Sequence, residues 1–150
     1  MIRRLSIQNE VAAISEVSRW IAESGRALGF SHTLTFHVDL AASEAIANTI
    51  CYGYPDGSRG EIELCLEVVN GQAMLEIEDS GIPFNPLEAH TPPTARSLEE
   101  AQIGGLGIRL IRRSMPMCNY EWRNGHNVLI LGSPLKGFEE TLTLAETETG

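Results

Sequence analysis

The sequence predicts an α+β fold, a two-layer sandwich in which helices cover one face of a mixed, mostly antiparallel sheet. Two observations carry that expectation. The first third holds two segments of helical length, Val11 to Leu28 and Val38 to Tyr54, the first with apolar residues at near-helical spacing. Further on, alternating segments flank Asn-Gly steps at Asn70-Gly71 and Asn124-Gly125, the strongest short hairpin signal.

In chain order, Ile2–Ile7 alternates loosely and reads as a first strand. Gln8 and Asn9 break it, and Asn9 is a candidate cap for the next element. Val11, Ile14, Val17, Trp20, Ile21, Ala27 and Leu28 then mark an amphipathic helix. Gly29–His32 is a turn, and Thr33–His37 is a short bridge into the second helix, with a helical conformation already open to it. Gly53, Pro55, Asp56, Gly57 and Gly60 mark a loop. Glu61–Val69 and Gln72–Glu78 alternate polar and apolar residues, as strands buried on one side do. From Leu87 to Ile103 runs a long polar segment of the kind that is usually functional. Gly104-Gly105-Leu106-Gly107 opens a helix with Ile108, Ile111 and Met115 inward, and Met117–Arg123 and Asn127–Leu131 complete the sheet. The division expected is one domain over 1–136 and an acidic, flexible tail over 137–150.

Composition sets limits on function. The 150 residues are 43% hydrophobic and 21% charged, ordinary for one globular domain. A formal net charge of -9 argues against non-specific binding to nucleic acid or anionic membranes. Cys51, Cys65 and Cys118 lie far apart in apolar runs and read as buried free thiols rather than a metal motif. The first residues lack the apolar core of a signal peptide, and no run reaches the roughly 18–20 apolar residues of a membrane span. A soluble, cytoplasmic protein is expected.

Three places carry candidate chemistry. Glu44 and Asn48 stand four residues apart, so a helix puts both on one face, one turn apart, among small and apolar neighbours. Asn48 offers an amide oxygen suited to Mg²⁺, and Glu44 a carboxylate suited to taking a hydroxyl proton. Alone, the pair has a plain alternative, in which both face solvent or cap backbone. Asp79-x-Gly81 puts a carboxylate at a strand end, where it can accept the amino hydrogen of adenine while glycine lets the base approach. Its alternative is an ordinary turn. The glycines of Gly104-Gly105-Leu106-Gly107 free backbone N–H groups at a helix start to surround phosphate oxygens, with Arg109, Arg112 and Arg113 nearby. A flexible loop before a helix is the alternative there, and neither a dinucleotide fingerprint nor a P-loop is present.

In combination, SEAIANTICYGYP, EDSGIPFNP and IGGLGIRLI, with the closing Asn-Gly hairpin, resemble the GHKL ATPase superfamily. Within it the chain looks most like the anti-sigma-factor serine/threonine kinases, over about Val11 to Leu135. The resemblance implies the Bergerat ATP-binding fold, with ATP and Mg²⁺ bound. It implies Glu44 as catalytic base and Asn48 as Mg²⁺ ligand. Asp79 would hold the adenine amino group with Gly81 flooring the pocket. Residues about 87–103 would form a lid, and Gly104, Gly105, Leu106 and Gly107 would lie on the phosphates. The implied activity is phosphorylation of a serine or threonine on a STAS-domain anti-anti-sigma partner, and the implied partners include a sigma factor and a second copy of the chain. An ATP-binding module that sequesters a partner without transfer is the alternative, and retention of Glu44 weighs against it. A histidine-kinase fragment is a further one. Histidine kinases usually carry asparagine where Glu44 stands and need a dimerisation and phosphoacceptor segment for which the chain leaves no room.

Pro83, Asn85 and Asn127 depart from the pattern, many relatives having glycine, aspartate and threonine there, which leaves any nucleotide contact of Asn127 open. His32, His37, His90 and His126 have no metal-site spacing. Trp20 is expected in the core or at a partner surface, Trp122 in packing, and Tyr52 and Tyr54 near the nucleotide without being ligands.

Overall fold

The computed structural model describes residues 1–88 and 107–136. Strand β1 is Ile2–Gln8 and is followed by a single 3-10 turn, Val11–Ala13. Helix α1 is Ile14–Leu28 and α2 is His32–Tyr52. Strands β2, Glu61–Val69, and β3, Gln72–Asp79, form the first hairpin. A third helix, α3, covers 107–114. The second hairpin is β4, Met117–Arg123, and β5, His126–Pro134.

The five strands make one sheet in the order β1-β2-β3-β5-β4. Every pairing among them is antiparallel, the antiparallel limit of the sheet the sequence predicts. Both Asn-Gly steps turn as expected, with positive φ at Asn70 and Gly71 (49° and 75°) and at Asn124 and Gly125 (53° and 78°). Period-2 alternation sends Ala73, Leu75, Ile77 and Asp79 of β3 to the buried side. That row meets Ile62, Leu64 and Leu66 of β2, Leu129 and Leu131 of β5, and the helices above them.

Helix α2 lies against this face because its sequence allows close approach. Leu34, Val38, Ala41, Ala42 and Ile46 have no solvent exposure. Alanines bring the helix axis near the sheet, while Leu34, Val38 and Ile46 fill what remains. Helix α1 adds Val17, Trp20 and Ile21, α3 adds Ile111, and Met115 follows just after it. Trp20 is thus a core residue, one of the two places expected for it. No helix among the described residues is long and apolar enough to cross a membrane.

Several expectations need correction. Helix α2 starts at His32, inside the expected turn, and residues 33–37 take the helical alternative that the sequence left open. Ser31 caps it, its Oγ accepting the Leu34 N–H at 3.1 Å. Asn9 caps no helix: its side chain donates to the Ser58 carbonyl and accepts the Gly60 N–H, tying the end of β1 to the loop before β2. The cysteines are not buried, since Cys51 is exposed and Cys65 and Cys118 are half-buried. Trp122 is 46% exposed on edge strand β4 instead of packed. The lid expected at 87–103 falls almost wholly outside the described residues, as do Gly104, Gly105, Leu106 and the acidic tail.

Leu75, in the middle of β3 and without solvent exposure, is the natural probe of this core. Leu75→Ala should lower unfolding free energy by about 2–5 kcal/mol in denaturant melts. A loss under about 1 kcal/mol would mean that the sheet and helices are not packed through this row.

Candidate functional site

The site is built where the end of β3, the C-terminal half of α2 and the start of α3 come together. Glu44, Asn48 and Tyr52 recur every fourth residue on α2, so they form a line along one flank of the helix. Glu44 and Asn48 are half-buried. Across from them stands Gly107, the first described residue of α3. A Cβ built on Gly107 would lie 3.1 Å from Glu44 Oε2 and 3.6 Å from Asn48 Nδ2. The absence of a side chain there lets α3 approach both groups.

Asp79 ends the inward row of β3 and is 4% exposed. A carboxylate so placed must be hydrogen-bonded or protonated. Its Oδ1 accepts the Gly81 N–H at 2.9 Å, a turn closed on its own side chain, and the Asn127 side-chain amide at 2.9 Å. Burial pushes its pKa upward, while the Asn127 and Gly81 bonds and the nearby His126 oppose that shift. Gly81 is packed against the end of α2. A Cβ there would sit 2.6 Å from the Gly53 carbonyl oxygen, which also accepts the Ile82 N–H at 2.9 Å. Only glycine fits this backbone-to-backbone contact. Tyr54, buried just after α2, lies within electrostatic reach of Asp79.

Asn127 is the least anticipated part of the site. The β3–β5 register puts it directly opposite Asp79. Its amide nitrogen donates to Asp79 Oδ1 and to the Ile82 carbonyl at 2.9 Å, and its oxygen accepts the Phe84 N–H at 2.9 Å and the Tyr120 hydroxyl at 2.5 Å. Phe84 stacks on Tyr52, with ring centroids 5.2 Å apart and planes 17° apart. Asn85 accepts the Leu87 N–H at 2.8 Å, so its amide closes the next turn. The 80–87 segment is thereby attached to α2 on one side and β5 on the other. Among the arginines of α3, Arg112 donates to the Leu87 carbonyl, and Arg113 lies within electrostatic reach of His37.

Of the residues singled out in the sequence, Glu44, Asn48 and Gly107 therefore meet in one place, and Asp79 and Gly81 form a second place just beyond it, at the C-terminal end of the same helix. The sequence did not disclose the bonding of Asn127 and Tyr120 or the Tyr52–Phe84 stack. The Asn127 contact has a signal in hindsight, because the two Asn-Gly hairpins fix the strand ends and hence which residues face each other.

An antiparallel sheet with a buried aspartate at the end of an inner strand, under a helix with a polar flank, defines a class of ATP-binding domain. The chain belongs to the histidine kinase-like ATPase family, whose match runs over residues 7–132. ATP is the nucleotide that such a domain binds. Among its relatives, serine/threonine-protein kinase BtrW of Bordetella bronchiseptica is 38% identical over 69% of this chain and 73% of its own length. An anti-sigma F factor of Clostridium botulinum is 28% identical over 72% of this chain and 73% of its own. Serine-protein kinase RsbW of Oceanobacillus iheyensis is 28% identical over 75% and 73%. The fold also matches the histidine kinase domain of the Erythrobacter litoralis EL346 blue-light activated histidine kinase, with a TM-score of 0.55 at 16% identity over 89% of this chain. The chain spans 64% of that solved chain.

The Asp79 environment has a stability consequence whose sign is definite. A carboxyl whose pKa is raised by burial binds its proton more tightly folded than unfolded. Its ionisation therefore costs stability in full above the raised value, and the cost is relieved as pH falls toward the ordinary 3.8. Asp79→Asn keeps an oxygen for Gly81 and Asn127 without the buried charge. It should raise the unfolding midpoint at pH 7, with the gain shrinking toward pH 4 in melts across that range. A variant less stable at every pH would mean that the ionised carboxylate holds the fold together.

Proposed function

We propose that the protein is an ATP-dependent serine/threonine kinase and anti-sigma factor of a partner-switching system, phosphorylating a STAS-domain anti-anti-sigma protein. The observation that carries this reading is the meeting of Glu44, Asn48 and Gly107. It gives a proton acceptor and a hard-cation ligand beside the last glycine of the Gly104-Gly105-Leu106-Gly107 run, a sequence suited to offering backbone N–H groups to phosphate. The names of the relatives, two protein kinases and an anti-sigma factor, support the choice of acceptor and of second partner. A dimer is the expected working unit.

In this reading Asp79 accepts the adenine amino hydrogen, and Gly81, held tightly on Gly53, floors the base. Gly104, Gly105, Leu106 and Gly107 lie along the phosphates. The donor set would suit Mg²⁺: the carboxamide oxygen of Asn48 is a hard ligand that would hold the ion, with phosphate and water oxygens as further donors. Bound there, the ion neutralises charge on the phosphate oxygens. Glu44 orients the partner's serine or threonine hydroxyl and takes its proton. The hydroxyl oxygen forms a bond to the γ-phosphorus as the bond from that phosphorus to the β–γ bridging oxygen breaks. ADP leaves, and the phosphate remains on the partner.

The test is transfer from labelled Mg·ATP to each STAS-domain protein of the same genome. One hydroxyl on one partner should be labelled, and Glu44→Ala should remove labelling at least about a hundredfold while ATP binding stays near native. ATP affinity should fall on acidification from a higher pH than an ordinary carboxylate sets, because protonated Asp79 no longer accepts the amino hydrogen in the same way. Binding without transfer to any partner would replace the kinase by a nucleotide-dependent sequestering module. Native rates in Glu44→Ala would remove the base assignment.

A further inference from the structure

We infer that Asn127 is a positioning residue for nucleotide recognition. It holds the Asp79 carboxylate in one orientation, with Oδ1 occupied and Oδ2 left for the base, and Tyr120 fixes which way its own amide faces. The inference rests on the reading of Asp79 as the adenine acceptor and assigns Asn127 a part in it without contact to the nucleotide.

The hydrogen-bonding capacity of the side chain leads to this. A carboxamide has two hydrogens to donate and an oxygen with two lone pairs. At Asn127 all four are used: Asp79 Oδ1 and the Ile82 carbonyl take the hydrogens, and the Phe84 N–H and Tyr120 hydroxyl take the lone pairs. A backbone N–H only donates and a backbone carbonyl only accepts, so the amide has one satisfactory orientation. Nothing remains with which to reach a base. Its effect on nucleotide must pass through Asp79 and the 82–84 backbone.

Asp79 receives that effect on one oxygen. Among the described residues its hydrogen bonds fall on Oδ1, from Gly81 and Asn127. A carboxylate pinned by two donors on one oxygen cannot turn freely about its last bond, and the second oxygen keeps a fixed direction. The same amide carries the loop that ends in Phe84, whose ring is stacked on Tyr52 one turn beyond Asn48. One side chain on β5 thereby sets both the acceptor and the loop beside it. A threonine in this place has one hydroxyl hydrogen. It can serve Asp79 or the Ile82 carbonyl, not both, so the Asn127→Thr variant would hold the acceptor or the loop and release the other.

Charge around the acceptor gives the inference a second readout. His126 lies beside Asp79 on β5, Glu78 precedes it on β3, Tyr120 reaches it from β4 and Tyr54 from beyond α2. With those unchanged, loss of the Asn127 donor leaves ionised Asp79 buried with fewer hydrogen bonds. Its titration midpoint moves up.

The experiment is calorimetric titration with Mg·ATP of the native protein, Asn127→Leu, Asn127→Thr, Tyr120→Phe, Asp79→Asn and the Asp79→Asn/Asn127→Leu double variant. The Asp79 carboxyl is followed in parallel by carbon NMR across pH. Asn127→Leu should bind ATP roughly ten- to hundredfold more weakly, the effect of losing a hydrogen bond to a charged group. Asn127→Thr and Tyr120→Phe should lose less, and the Asp79 midpoint should rise most in Asn127→Leu. The double variant should bind no more weakly than Asp79→Asn, since both changes act through one carboxylate. Additive losses, or native affinity and an unmoved midpoint in Asn127→Thr and Tyr120→Phe, overturn the inference, and these milder variants decide it if Asn127→Leu fails to fold. If the native protein binds no ATP, the adenine reading fails instead. The carboxyl midpoints then judge the brace alone, and a midpoint unmoved in every Asn127 and Tyr120 variant refutes that too.

Discussion

The site end of the fold depends on keeping one ionisable carboxyl, Asp79, nearly out of water. At 4% exposure the group costs free energy unless donors replace its hydration. The donors come from two directions: Gly81 in the loop that follows the strand, and Asn127 on the neighbouring strand. Each requirement propagates. Gly81 can reach Asp79 only if the loop packs onto the Gly53 carbonyl, which fixes the end of α2. Asn127 can reach it only if β3 and β5 keep their register, since a slip of one residue would turn Asn127 to the other face. The arrangement of loop, helix end and sheet therefore follows from satisfying one group.

Helix α2 is the other fixed object. Its buried face runs through Leu34, Val38, Ala41, Ala45 and Ile46, which pack on the sheet and on α1. Its polar residues include Asp39, which accepts the Ser18 and Ser43 hydroxyls, and the line Glu44, Asn48 and Tyr52. A helix buried this way cannot rotate to hide or expose that line without lifting Leu34, Val38 and Ile46 from the sheet. Rigid placement of this kind suits a proton acceptor and a cation ligand that must hold a constant spacing. Loops could supply the same residues, with far less constancy of position.

Much of this was legible in the sequence, for physical reasons that differ by element. The strands and hairpins were read to within a few residues because alternation and Asn-Gly turns are local signals, set by pleating and by backbone that favours positive φ. Glu44 and Asn48 were legible as one face because helical period alone places them there. The start of α2 was not, since Ser31 was read as part of a turn and its capping role depends on the bond to Leu34. Asn9 misled for the opposite reason: a good capping residue spent its side chain on a loop 49 residues away. Trp122 and the cysteines misled because apolar character in a strand or run does not say which face or edge a residue occupies. Asn127 could be seen to break a pattern, but not what it bonds, because its four partners come from separated parts of the chain.

The contrast between the two halves of the site follows from burial. Asp79 is enclosed, pinned on one oxygen and shifted by desolvation, which suits a group that must discriminate a base by a fixed acceptor. Glu44 is half-buried on a helix flank facing a glycine. In the proposed function its substrate hydroxyl is carried on a folded partner, which cannot enter a closed pocket, and a half-buried proton acceptor fits that requirement. A nucleotide base is small enough to enter, and its selectivity improves as water is excluded. A single helix, tied to the Asp79 loop at its C-terminal end and meeting Gly107 two turns earlier, holds the enclosed Asp79 and the half-buried Glu44 at a constant distance, as the proposed recognition and transfer roles require.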